Sequence, residues 1–193
     1  MIDYKLLNDS LIFYENNGYK RIESPWTVSQ YVDDLTRPKD RVPFELKHNN
    51  KRLVASGEQS FLYLYLKEFL PLGQFQTITP CYRFESFDYL HTKYFIKNEL
   101  IKTDVVNKSE LDKIVITALE FFNKFFPRLD LDTIKTEDGY DITVNGLELG
   151  SYGIRECEFL KWIYGTGCAE PRTSKLIKLY GNEKIVHTRT NNG

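Results

Sequence analysis

The sequence predicts an α+β domain in which helices flank a mainly antiparallel sheet. Three observations predict it. Residues 140–144 and 147–152 are strand-like runs joined by Asn145-Gly146, the dipeptide that favours a tight hairpin turn. Residues 74–82 alternate well enough for a strand, and residues 94–103 supply an antiparallel partner after a turn around Phe87 to Leu90. Residues 109–126 carry helical apolar spacing, and hairpins with separate helices point to α+β.

Taken in order, Leu7, Leu11, Ile12 and Tyr14 predict a short amphipathic helix over residues 6–16, stopped by Asn17-Gly18. Residues 18–26 are extended up to Pro25. Residues 33–52, charged and holding Pro38 and Pro43, read as loop or an irregular hairpin. Ser56-Gly57-Glu58-Gln59 has N-cap chemistry and opens a helix over 59–69 that closes before Pro71 and Gly73. Ser109 is the expected N-cap of the 109–126 helix and Pro127 its stop. Asp138-Gly139 is a turn, residues 156–164 form a short helix or strand, Gly165-Thr166-Gly167 is a tight turn, and residues 173–180 are helical.

The chain has 193 residues, 41% of them hydrophobic, which suffices for one core and one domain over residues 1–193. A formal net charge of -1 disfavours nucleic acid as the sole partner, because a phosphate-gripping chain carries a basic excess. Transient tRNA contact through a local basic patch stays open. No apolar run is long enough to span a membrane and residues 1–5 lack a signal-peptide pattern, so a cytoplasmic protein with no membrane partner is expected. Cys81, Cys157 and Cys168 have neither disulfide-framework nor zinc spacing and are read as reduced, mostly packed thiols. Aromatic residues make up 15% of the chain, and their runs suit packing better than base stacking.

The candidate chemistry begins at Pro80-Cys81-Tyr82-Arg83-Phe84-Glu85. Arg83 and Glu85 are two apart on a strand and share a face. A guanidinium can clamp phosphate or carboxylate and a carboxylate can accept from an exocyclic amine, which suits a nucleotide; a surface ion pair is the plainer alternative. His91 and Phe95 follow across the turn, a protonatable ring and a stacking face. Asp141 and Glu148 flank Asn145-Gly146 and can approach across the hairpin, offering hard oxygens to Mg²⁺, or else serve as solvated acids. Arg155 follows Gly150-Ser151-Tyr152-Gly153, where glycines admit a ligand close to the backbone, and Arg172 closes a glycine-rich stretch beginning at Gly165.

In this order the pieces resemble the three signature motifs of class II aminoacyl-tRNA synthetases. Gly18-Tyr19-Lys20-Arg21-Ile22-Glu23-Ser24-Pro25 is similar to motif 1; Tyr82-Arg83-Phe84-Glu85 with His91 and Phe95 is similar to motif 2 with a short loop. Gly165, Gly167 and Arg172 match motif 3, with Ala169 in place of its third glycine and Pro171 before the arginine. Residues 141–155 resemble the aspartyl and asparaginyl enzymes and, in part, ammonia-dependent asparagine synthetase. Thr79-Pro80-Cys81-Tyr82-Arg83 and Gly165-Thr166-Gly167-Cys168-Ala169 look more like the seryl branch.

The resemblance implies a class II catalytic core without an anticodon-binding domain that activates an amino acid with ATP and Mg²⁺ and passes it to tRNA, a carrier protein or another acceptor. It implies that Arg83 and Arg172 are catalytic and that ATP meets Arg83, Glu85, His91, Phe95 and Arg172. It assigns Asp141 and Glu148 to the metal, and Arg155, Gly150, Ser151 and Gly153 to the amino acid. It further implies a homodimer through residues 6–26. The alternative is a catalytically silent synthetase-like subunit with a regulatory or binding role; an RNA-binding module is a third.

Overall fold

A computed structural model describes residues 1–84, 88–90 and 92–181. Among them the elements run α1 (Tyr4–Asn16), β1 (Lys20–Arg21), β2 (Thr27–Ser29), α2 (Gln30–Asp34), β3 (Lys51–Leu53), α3 (Gly57–Leu66), β4 (Gln74–Tyr82) and β5 (Tyr94–Lys102). There follow α4 (Lys108–Asn123), β6 (Asp132–Lys135), β7 (Gly139–Val144), β8 (Leu147–Glu156), β9 (Lys161–Glu170) and α5 (Arg172–Tyr180). A seven-stranded sheet has the order β1-β4-β5-β9-β8-β7-β6, antiparallel throughout except for the parallel β1–β4 pair. This is the expected α+β architecture.

Side chains alternate across the sheet, so neighbours along one strand enter different cores. On β5, Leu100 joins a large cluster with Tyr14 of α1, Phe121 and Phe122 of α4 and Leu176 of α5. The next residue, Ile101, packs on the other face with Phe61 and Leu62 of α3, Val28 and Trp162. Helices α1, α4 and α5 thus cover the back, while α3, α2 and the small β2–β3 sheet cover part of the front. The rest of the front is where a cleft forms.

Local chemistry explains most boundaries. Asn145 and Gly146 have φ of 49° and 74°, the left-handed pair a two-residue hairpin turn requires. Ser56 caps α3 by accepting from the Glu58 N–H. Two expectations are corrected. The cap of α4 is Asn107, whose Oδ1 accepts from the Glu110 N–H at 3.0 Å, not Ser109. Gly165-Thr166-Gly167 is not a turn: it lies inside β9, between β5 and β8, and the β5–β9 register shifts by one residue at Gly167. Residues 156–164 are the end of β8, a connection and the start of β9, and β6 is an edge strand the sequence did not announce.

Candidate active site

The cleft has a volume of about 330 Å³, near the low end for small-molecule sites. Its floor is the front face of β5, β8 and β9, and its ends are set by α3 and the start of α5. Arg83, Phe95, Arg155, Ser151, Glu148 and Arg172 all line it. Residues from every candidate group named in the sequence therefore meet at one place. Glu85 and His91 lie outside the described residues, as does Phe87 of the expected turn.

At one end, Arg83 donates from Nε to the Ala55 carbonyl at 3.0 Å, and its guanidinium lies 5.1 Å from the centre of the Phe95 ring. Phe95 faces the cleft because it is in phase with Lys97 and Glu99, two and four residues on along β5. Lys97 and Glu99 are both buried and joined at 2.8 Å. Glu99 also accepts from Ser56 Oγ at 2.7 Å and from the Gly57 N–H at 3.1 Å, so its charge rests on the N-terminus of α3.

In the middle, Glu148 of β8 accepts from Arg172 Nη2 at 2.9 Å. Burial pushes the Glu148 carboxyl up, but Arg172, with Lys97 and Arg83 beyond, outweighs it and holds the group below the ordinary glutamate range. Asp141 stands opposite Ser151, and Thr143 opposite Glu148, on the same face of the β7–β8 hairpin. Burial, reinforced by the Glu148 charge, raises the Asp141 carboxyl above its usual range. Three buried atoms around Glu148 have no hydrogen-bond partner among the described residues: Asp141 Oδ1, Thr143 Oγ1 and Arg172 Nε. Buried polar atoms are seldom left so.

Those orphans test whether Mg²⁺ fits. A buried carboxylate oxygen with no donor, beside a second acid, is a suitable hard-oxygen pair for a divalent cation. No cluster of three or more His, Cys, Asp or Glu side chains that could hold a metal occurs among the described residues.

At the far end, Arg155 donates from Nη1 to Glu58 Oε2 and from Nε to Asp138 Oδ2, both at 2.8 Å, and lies 4.2 Å above the Tyr164 ring. Glu58 also accepts from Trp162 Nε1 at 2.7 Å. Burial raises the Glu58 carboxyl even against the lowering effect of Arg155. Gly150 and Gly153 are closely covered: a Cβ would come within 2.7 Å of Tyr152 Oη at Gly150 and within 2.7 Å of the Tyr164 ring at Gly153. Lys97, Glu99 and Glu58 escaped the sequence reading. The alternation through Phe95 was the available signal for the first two, whereas Glu58 passed as capping chemistry.

This architecture is that of class II aminoacyl-tRNA synthetase catalytic cores. Pyrrolysyl-tRNA synthetase from Desulfitobacterium hafniense superposes with a TM-score of 0.70 at 17% identity, over 92% of this chain and 70% of that one. Seryl-tRNA synthetase from Pyrococcus horikoshii, solved with ATP, gives a TM-score of 0.71 at 14% identity over 91% of this chain and 49% of that one. The cytoplasmic serine-tRNA ligase from Naegleria fowleri, solved with AMP, gives 0.67 at 17% identity over 87% and 46%. The chain thus spans less than half of either seryl structure. No protein-family model matches the sequence, and no curated protein matches it.

Proposed function

We propose that this cleft binds ATP and an amino acid and joins them as an aminoacyl-adenylate. The observation that carries the reading is the set of unpartnered buried atoms around Glu148, flanked by Arg83, Lys97 and Arg172 on a class II core. Cations and hard acids converge there as a triphosphate with its metal demands. Two neighbours in fold were solved with ATP or AMP, which supports a nucleotide in the cleft.

A carboxylate oxygen of the amino acid attacks the α-phosphorus, the bond to the β-phosphate oxygen breaks, and pyrophosphate leaves. Arg83 offsets the charge that builds on the α-phosphate, and Arg172 together with His91 holds the departing end. Phe95 stacks on adenine and Glu85 accepts from its amine. Asp141 and Glu148 hold Mg²⁺, which supplies charge neutralisation on the phosphate oxygens. Arg155 and Ser151 form the amino-acid end, and Gly150 and Gly153 serve it by letting Tyr152 and Tyr164 pack close against β8. No side-chain nucleophile is needed, since positioning and electrostatics suffice.

The activated acyl group passes to tRNA, a carrier-protein thiol or another acceptor. A cytoplasmic homodimer through residues 6–26 completes the reading, with the exposed Trp26 on that surface as support. Light scattering checks it. None of the described helices is long and apolar enough to cross a membrane.

The test is ATP–pyrophosphate exchange with each of the amino acids in the presence of Mg²⁺, on the wild type and on Arg83→Ala. The expected result is amino-acid-dependent exchange that falls at least about 100-fold in the variant. No exchange with any amino acid rejects activation and leaves the silent, regulatory subunit.

A further inference from the structure

We infer that the amino acid accepted by this cleft is small and uncharged, of the size of glycine, alanine or serine. The inference rests on the adenylate-forming reading and names the substrate class of the same site. It comes from how the far end of the cleft is filled.

The space beyond Ser151 is taken by two stacked side chains. The Arg155 guanidinium lies 4.2 Å over the Tyr164 ring and is pinned from two sides by Glu58 and Asp138. Tyr164, which is buried, lies flat against β8 because its partner in register there is Gly153, where a Cβ would sit 2.7 Å from the ring. The wall is therefore fixed from below by a glycine and from above by an ion-pair network. A long substrate side chain would have to displace both.

Charge points the same way. One guanidinium set against two carboxyls has no positive charge left over for an anionic side chain. A cationic side chain finds both acids already bonded to Arg155. The remaining wall is polar and internally satisfied: the Ser151 N–H donates to Thr166 Oγ1, and Gln59 spends its amide on Ala55 and Asp33.

The same panel of amino acids, assayed two ways, tests this. In pyrophosphate exchange, glycine, alanine or serine is expected to exceed aspartate, lysine, leucine and phenylalanine by at least about 100-fold in kcat/KM. A charged or bulky amino acid as best substrate overturns the inference. Calorimetric titration of the panel into the full chain with AMP reads the pocket without turnover. If exchange is silent while only the small uncharged amino acids bind, activation fails and the pocket assignment stands. Binding of a large or charged amino acid, or of none, overturns it. Tyr164→Ala, checked for a wild-type circular dichroism spectrum, is expected to raise the affinity for valine or leucine relative to alanine at least about 10-fold. A folded variant with no such change also overturns it.

Discussion

Arg172 Nη2 donates to Glu148 Oε1 at 2.9 Å, tying the first residue of α5 to the hairpin strand β8. The bond brings the third signature segment against the acid pair, and it makes the acid's titration readable. Because the folded carboxyl sits below its unfolded value of about 4.3, its contribution is full above that pH and is lost as pH falls through the folded value. Urea unfolding of the wild type and Glu148→Gln between pH 7 and pH 3 should show a stability difference that narrows in acid. Arg172→Ala should abolish most of that narrowing.

Asp141 has the opposite sign. Its folded carboxyl is raised by burial, so the ionised form costs stability above the folded value, and the cost disappears as pH falls toward about 3.9. Asp141→Asn is therefore expected to melt higher than the wild type at pH 7 in a chelator. On the proposed reading Mg²⁺ with ATP is expected to raise the melting temperature of the wild type, and the same variant should lose that gain. A variant that keeps that gain would remove Asp141 from the metal site.

The buried pair Lys97–Glu99 predicts a non-additive result. Among the described residues Lys97→Met leaves Glu99 with Ser56 and the Gly57 N–H as its hydrogen-bond donors, and breaking a buried pair costs about 3–5 kcal/mol. The double variant Lys97→Met/Glu99→Leu should recover a large part of that loss. A double-mutant cycle from urea denaturation measures the coupling.

Asn107 and Ser109 make the cap of α4 a simple comparison. Asn107→Ala should cost about 1 kcal/mol, because the Glu110 N–H loses its acceptor. Ser109→Ala, already one position inside the helix start, should stay within about 0.5 kcal/mol. Chemical denaturation resolves the two.

These particulars show what a single sequence can carry. Strands β4, β7 and β8 were legible because alternation and an Asn-Gly turn are local signals. Gly165-Thr166-Gly167 was misread because the same residues suit a turn; only the strands on both sides, β5 and β8, make that stretch a central strand. Strand β6 is exposed at all four positions, so no alternation marked it. In the cleft, Arg83, Glu148, Arg155 and Arg172, each inside a recognisable motif, line one cavity, whereas Asp141 does not line it. Alternation through Phe95 puts Lys97 and Glu99 on the cleft face, but only the tertiary structure shows that their ion pair is buried and not solvated. Cys81 and Cys168 agree with the reading of packed thiols: both are buried, and burial pushes Cys81 up to about 12, far from reactive at neutral pH.

The two rims of the large sheet share a property. One ends on Lys20 and Arg21, a strand of two charged, exposed residues; the other on the four residues from Asp132 to Lys135. Short, charged margins are poor templates for another strand. Both margins are thereby poorly suited to main-chain zippering, the open-ended self-association that leads to fibres. Among the described residues the sheet ends at seven strands.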